Sequence, residues 1–556
     1  MRRWRAAGDA ALLLEAKGAA ARLAVAILTE RVAGVLDVVP GARTVLVTIM
    51  PGSSDVAELA ARLLELPLPP DRPGRAALAE IAVVYDGPDL GEVAQLTGLS
   101  RDEVVARHAA GEYTVGWLGF SPGFGYLTGL DPVLASVPRL AEPRLRVPAG
   151  SVAIAGGLAA VYPSTSPGGW RLLGRAAAAL WDSDREPPAL LSPGMRVRFR
   201  QVDREALPPA APATPATPAT PATPATPATS QHAGGPAIEV IRPGPLATVQ
   251  DLGRPGYGHL GVPHSGAADA ASLRLANRLA GNPDGTAGIE LTLGRAAFRF
   301  HGAAVVAVAG APLPLTVEPG TEDTAQDGPG GAEPGGPAEA ATDSLGGAAA
   351  RDMPHGSAFE VPAGGVLRMG APAAGLRSYL AVRGGVGVSR VLGSRSADLR
   401  SGLGPAALRP GDVLPVGDEQ ATAAGAAAVQ PTVLPVADEP AVLRVVPGPR
   451  DDWFAPDALR QLCAGMYTVT PASDRTGLRL DGPPLSFAGR GELLSEGVAT
   501  GALQVPHGGR PILLLADHPV TGGYPVIATV LSADIGLAAQ LRPGSKLRFV
   551  LETPGR

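Results

Sequence analysis

RPGSKLRF, residues 542–549, sets a Pro-Gly pair in front of an alternating stretch. Such a pair marks a turn, and alternation of polar and apolar residues marks a strand. The phrase has two partners, SPGMRVRF at 192–199 and RPGDVL at 409–414. An opening phrase repeats as well, VIRPGP at 240–245 and RVVPGP at 444–449. Three copies of one closing phrase, at the ends of three blocks, predict three related β-rich domains. The short strands between them, separated by Gly and Pro turns, have the form that barrels require.

The first 85 residues follow another pattern. Ala10–Glu15, Val45–Ile49 and Ile81–Tyr85 read as strands. Ala19–Arg31 carries Leu23 and Ile27 on one helical face. Val56–Leu66 does the same with Val56, Leu59 and Leu63, and Asp55 with Glu58 forms a capping pair. This β-α-β-α-β order predicts a small α+β domain over residues 1–85. The fold class expected for the whole chain is therefore mainly β with α+β.

The surest boundary is PATPATPATPATPATPAT at 212–229. Proline at every third position fixes φ and removes amide donors, so the segment cannot build a core. It predicts a semi-extended spacer of up to roughly 56 Å, at about 3.1 Å per residue, between two proteins fused into one polypeptide. The expected division is a barrel over 86–205, a linker over 206–236, a barrel over 237–417, a linker over 418–440 and a last barrel over 441–556. Residues 318–350, rich in Gly, Pro and acids, read as a disordered insertion in the second barrel.

Composition narrows the function. The chain has 556 residues and a formal net charge of −5, with 47 basic and 52 acidic residues. That balance gives no footprint for nucleic acid or an anionic membrane. Cys463 is the sole cysteine, which excludes an internal disulfide and argues against a thiolate metal site. The apolar run after MRRWR, Ala10 to Leu14, is shorter than a secretory core, and no run approaches a membrane span. A cytoplasmic protein is expected. Only two of the basic residues are lysines, Lys17 and Lys546. Neither lies in a phosphate-binding GxxxxGK[ST] loop or between methionines, so no covalently bound biotin is expected. Any phosphate must be met by Arg and backbone N–H groups.

LGEVAQLTGLSRDEVVARH, 90–108, has the outline of a helix-turn-helix, with Ser100 and Glu103 as a capping box. Asp102 and Glu103 open its second helix, where a recognition helix would meet phosphates. DNA binding is therefore not expected. The plainer expectation is a helical excursion that delivers His108 toward the glycine-rich stretch beyond it.

That stretch, GWLGFSPGFGYL at 116–127, begins the most recognisable part of the chain. HAAGEYTVGWLGFSPGFGYLTGLDP, followed by PRLRVPAGSVAIAGGLAAVYPSTSPGGWRLLGR, resembles the allophanate hydrolase subunit 1 family, associated with the B component of bacterial ATP-dependent 5-oxoprolinase. TVQDLGRPGYGHLGVPHSGAADAASLRLANRLAGNP, RSYLAVRGGVGVSRVLGSRSADL, SDRTGLRL, LLSEGVATGALQVPHGG and ADHPVTGGYPVIATV resemble the allophanate hydrolase subunit 2 family, associated with the C component. The resemblance implies cyclophilin-like β-barrels, one in the first half and two in the second, behind a small α+β domain.

With the resemblance in hand, the stretch reads as a site. Gly119, Gly123 and Gly125 permit close approach, while Phe120, Phe124 and Tyr126 exclude water. The alternative is that these glycines only turn barrel corners. AIAGG, with Gly156 and Gly157, and SPGGW, with Gly168 and Gly169, are expected as further walls, with Tyr162 between them. Gln250, Asp251, Arg254 and Ser265 are the candidates in the second half's first motif, and Asp474 with Arg475 in SDRTG. Gln504, Gly522, Gly523 and Tyr524 complete the set. His108, Asp251, Asp474, Arg475 and Tyr524 are the expected catalytic groups, and the others bind substrate or nucleotide. Asp269, Asn277 and Glu290 are placed by the family motif or serve as helix caps. Leu158 and Ala159 stand where the first family has Gln and Thr, and Val520 stands where the second has Thr. His264 and Ala268 also depart from the second family's pattern.

The resemblance implies ATP-driven opening of 5-oxoproline to glutamate, with ATP and Mg²⁺. It also implies a partner, the separate 5-oxoprolinase A component of the LamB/YcsF type. Whether the chain forms a homo-oligomer, and which metal beyond Mg²⁺ it would use, stay open. Two alternatives are the carboxyltransferase part of a biotin-dependent urea carboxylase and a regulatory protein that binds a histidine kinase.

Overall fold

The computed structural model describes residues 3–50, 56–70, 77–140, 142–204, 235–320, 350–419, 431–436 and 439–552. The Pro-Ala-Thr linker, nearly all of the 318–350 insertion, most of the 418–440 linker and the capping residue Asp55 lie outside them.

The three closing phrases fold alike. Gly194, Gly411 and Gly544 have φ of +86°, +89° and +88°. In each turn the residue after the glycine donates its N–H three residues back: Met195 to Ser192, Asp412 to Arg409 and Ser545 to Arg542, at 3.0–3.1 Å. Pro then Gly at the two central positions, with the glycine left-handed, is the signature of a type II turn. A strand follows each turn.

In two of the three blocks that strand closes a barrel. Arg196–Gln201 runs parallel to Leu78–Val84, with Phe199 opposite Ile81, and completes a closed seven-stranded barrel. Lys546–Leu551 runs parallel to Ala441–Pro447, with Phe549 opposite Leu443, and completes a second. The middle block differs. Val413–Pro415 runs antiparallel to Ala237–Arg242, with Leu414 opposite Ile238. Its strands divide into a six-stranded and a five-stranded sheet. Both enclose one core that includes Val249, Ile289, Phe298, Phe300, Val308 and Leu380.

The N-terminal domain is a four-stranded antiparallel sheet in the order Arg3–Ala6, Ala11–Glu15, Thr44–Ile49, Val35–Pro40. Helices Ala20–Glu30 and Val56–Glu65 bring Leu23, Ile27, Leu59 and Leu63 onto Leu12, Leu14, Val45 and Val47. The opposite face places Leu13, Val39 and Leu46 against Val520 of the last barrel. Burial on both faces explains why Ala11–Leu14 is apolar without alternation. The strand expected at Ile81–Tyr85 is corrected in its membership. Leu78–Val84 pairs with Arg196–Gln201 and Arg171–Ala176, so it belongs to the first barrel.

The helix-turn-helix outline folds as expected locally. Leu90–Thr97 and Arg101–Ala110 are helices, and Ser100 with Glu103 makes a reciprocal capping box. Both pack on the first barrel through Leu90, Val93, Val104 and Val105. Among the described residues no helix is long and apolar enough to cross a membrane.

Candidate functional site

GWLGFSPGFGYL forms the turn between strands Tyr113–Leu118 and Gly125–Thr128. Alternation sends Leu127 into the barrel core and Tyr126 outward, and a register shift between Val115 and Trp117 keeps Val115 inside while turning Trp117 to the face of Tyr126. Outside, Trp117 stacks on Tyr126 with ring centroids 4.6 Å apart. Phe124 meets Tyr126, Tyr162 and Trp170 edge-on at 5.0, 5.3 and 5.7 Å. Ala153, Ala155 and Ala160 on the same face leave room for these rings.

This aromatic face is where three domains meet. The Tyr126 hydroxyl lies 3.0 Å from Thr521 Oγ1 of the last barrel. A Cβ on Gly119 would stand 2.6 Å from Thr521 Cγ2, so only glycine permits this approach. From the middle domain, Arg400 donates to the Phe120 carbonyl at 3.3 Å and lies 4.9 Å over the Phe120 ring. Gly123 N–H donates to the Leu260 carbonyl at 3.0 Å.

Beneath Arg400 lies a buried polar network. Asp517 accepts from Ser265 Oγ at 2.7 Å and from Arg475 Nε at 2.8 Å. Burial, with Asp517 adding repulsion, holds the Asp398 carboxyl above its ordinary range, although Ser401 and Arg254 favour its charge. Arg254 is 1% exposed and donates through Nη2 to the Ser396 carbonyl, while Nε and Nη1 have no protein partner. His518 bonds Thr500 Oγ1 at 3.1 Å and the Pro519 carbonyl at 2.8 Å. Burial lowers its pKa to about 4, so the ring is neutral near pH 7. The network thus offers an underused guanidinium, a second cation over an aromatic ring, a neutral imidazole and a carboxyl that resists ionisation. These are the parts of a site that binds anionic or developing negative charge.

Several expected site residues take structural roles. His108 is wholly buried, bonded through Nδ1 to the Tyr85 hydroxyl at 2.8 Å and stacked on Phe199 at 4.7 Å. Burial lowers its pKa to about 3. The helix delivers it into the barrel core and not to the site. Asp251 is saturated by Ser394 Oγ, Ser396 Oγ and the N–H groups of Gly253 and Arg395, at 2.5–2.8 Å. Arg475 is saturated by Asp517, Glu290 and the Gly266 carbonyl. Asp474 caps its own turn, accepting from Thr476 N–H at 2.7 Å. Gly156 and Gly157 make the hairpin between Ser151–Ala155 and Leu158–Val161.

The others lie at or near the junction. Gln250 donates to Thr248 Oγ1 and the Ala397 carbonyl, leaving Oε1 unpartnered. Gly168 abuts Tyr162, Gly169 packs beside Pro143, and Gly522 abuts Gln504, which donates to the Tyr524 carbonyl at 3.3 Å. Tyr524 is half-buried, its ring 6.0 Å from that of His507. Arg139 of the first barrel lies over Gly523 and donates to Ser495 Oγ at 3.3 Å. Asp269 caps helix Ala270–Ala280 through Ser272, Asn277 binds the Thr286 carbonyl, and Glu290 accepts from Tyr379 at 2.8 Å. Sequence reasoning did not single out Arg139, Asp398, Arg400, Asp517 or His518. Asp398 belongs to the conspicuous phrase RSADL, and Asp517 and His518 to ADHPVTGGYP, whereas Arg139 and Arg400 lie outside these phrases. Among the described residues no group of three or more His, Cys, Asp or Glu is placed to hold a metal ion.

Comparison with known proteins matches this arrangement. The family model for the carboxyltransferase domain, subdomain C and D, covers residues 2–191, and that for subdomain A and B covers 260–551. The C component of 5-oxoprolinase from Escherichia coli (strain K12) is 33% identical over 316 residues, 56% of this chain and 90% of that one. The B component of 5-oxoprolinase from Escherichia coli O157:H7 is 53% identical over 123 residues, 22% of this chain and 56% of that one. A crystal structure of the protein TTHA0988 is similar with a TM-score of 0.78 and 35% identity, over 99% of this chain and 100% of that one.

Proposed function

The chain belongs to the carboxyltransferase-domain family, and from that premise we propose that it unites the B and C components of an ATP-dependent 5-oxoprolinase. B and C components of that enzyme are both among the relatives, and the two carboxyltransferase family models cover opposite ends of the chain. The observation that carries the reading is the contact between those ends. Tyr126 of the first half and Thr521 of the second share a buried hydrogen bond beside one polar network.

The chemistry fits that network. A lactam is a stabilised amide, and its hydrolysis needs coupling. ATP transfers its γ-phosphoryl group to the amide oxygen and leaves as ADP. Water adds to the ring carbon, and the C–N bond breaks with a proton going to nitrogen. A second water releases phosphate from the resulting acyl phosphate to give glutamate. Arg254 and Arg400 supply positive charge for the oxygen that becomes anionic. His518, neutral above about pH 4 and hydrogen-bonded at both ring nitrogens, adds a fixed uncharged dipole to the network. ATP and Mg²⁺ belong to the reaction as substrate and counterion, and an A component of the LamB/YcsF type completes the enzyme.

The test mixes the purified chain with such an A component, ATP and 5-oxoproline, and measures glutamate. Glutamate above that from either protein alone supports the reading. Its absence, with carboxylation of urea when a biotin carboxylase and biotin carrier are supplied, overturns it in favour of carboxyltransfer.

A further inference from the structure

Beside Ser495, which precedes strand Glu496–Gly497, lies a second cleft, between the N-terminal sheet and the last barrel, with a volume of about 430 Å³. That is the size range of small-molecule sites. Its floor is electrically closed. Arg450 pairs with Glu15 at 3.0 Å and Glu496 at 2.7 Å, and Arg490 pairs with Asp452 at 3.1 Å. Its walls are not closed. Lys17 and Arg43 line the cleft, and neither makes an ion pair or side-chain hydrogen bond among the described residues. Lys17 is one of only two lysines in the chain. The lining carboxylate left without a cation is Glu492, which is solvent-exposed. The remaining wall is apolar and flat: the half-buried ring of Trp453 beside Leu493.

Two free cations opposite an aromatic ring suit a ligand with phosphate at one end and a planar ring at the other. We propose that this cleft is a nucleotide site, with Lys17 and Arg43 on the phosphates and Trp453 against the base. The choice of a nucleotide over other ringed phosphates rests on the 5-oxoprolinase reading. The site borders the three-domain junction at Ser495 and Glu496, the latter paired with Gly522 in the strand of Thr521. Ser495 lines the cleft, its carbonyl accepts from Ala42 N–H at 2.9 Å, and its Oγ accepts from Arg139. A ligand here therefore bears on the strand that meets Tyr126 and Thr521.

Isothermal titration of the full chain with ADP, pyrophosphate and adenosine tests the proposal. ADP is expected to bind more tightly than either fragment. The Lys17→Ala/Arg43→Ala variant is expected to weaken ADP by about tenfold or more. Both residues are exposed, so its thermal midpoint should match that of the parent chain. No ADP binding, ADP binding untouched by the double substitution, or adenosine or pyrophosphate binding as tightly as ADP, each overturns the proposal. Ring opening by the reconstituted enzyme without ADP binding would remove this site and leave the proposed function standing. ADP binding at the cleft without ring opening would do the reverse.

Discussion

The hydroxyl of Tyr126 meets Oγ1 of Thr521 at 3.0 Å across 395 positions of sequence, and both residues are buried. This contact joins the two halves directly. Removing one partner takes a bond from the other in a buried interface, which costs about 1–3 kcal/mol where the group is left unsatisfied, whereas the intact bond contributes only about 1; Tyr126 keeps Ser495 as a second neighbour. Tyr126→Phe and Thr521→Val should each destabilise the docked halves. The double variant should lose less than the sum. A double-mutant cycle by urea unfolding measures this, and strict additivity would mean the hydrogen bond does not couple the halves.

Gly119→Ala is the steric counterpart. Its φ is not left-handed, so backbone strain plays no part. The added methyl would stand 2.6 Å from Thr521 Cγ2, and the barrels must separate locally or Thr521 must turn. Overpacking of this kind costs about 1–3 kcal/mol. Thr521→Ser removes the opposing methyl but keeps Oγ1, which would stand 2.8 Å from the added methyl, so it should recover part of the loss. Failure of that rescue in thermal unfolding would place the cost elsewhere.

How much of this was legible beforehand can be read from particular residues. Gly194, Gly411 and Gly544 announced three equivalent turns, because a Pro-Gly pair fixes local geometry by itself. The sequence did not reveal that Val413–Pro415 runs antiparallel where its two counterparts run parallel, since pairing direction depends on strands far away in the chain. Tyr126, Arg254 and Ser265 stood out because their phrases are rich in glycine and charge, and the structure places them at or near the three-domain junction. Arg139, Arg400 and His518 were not, because each acquires meaning only when a second domain supplies Gly523, Phe120 or Arg400 beside it. His108 was misread for the same reason. Tyr85, Tyr113 and Phe199, which enclose it, come from separate segments of the barrel.

Arg475 illustrates the difference between a charged residue and a free one. Its guanidinium joins Asp517 to Glu290 of the middle domain. Burial opposes the charge of Glu290, but Arg475 and Arg377 outweigh it and hold its pKa below the ordinary value. Arg475→Met leaves two buried carboxylates short of a cation, a loss of about 3–5 kcal/mol. Arg475→Lys keeps the charge but cannot reproduce the forked bonds to Asp517, so it should recover only part of that. Unfolding of the full chain in urea measures both. A Met variant as stable as the parent would show that the network is not structural.

His108 and His518 together set an acid limit on the fold. Both are buried, and burial places their pKa values at about 3 and about 4, below the 6.5 of a free imidazole. The folded chain therefore binds these protons less tightly than the unfolded chain. Their contribution is complete above about pH 6.5 and is lost as pH falls toward 4, by at most about 1.4 kcal/mol per pH unit for each ring. His108→Phe keeps an aromatic ring against Phe199 and removes one titration. Between about pH 6.5 and pH 4.5 its stability should fall less steeply than that of the parent chain by up to that amount. Parallel slopes in urea titrations of the two proteins would show that His108 is already protonated, or solvated, in the folded barrel.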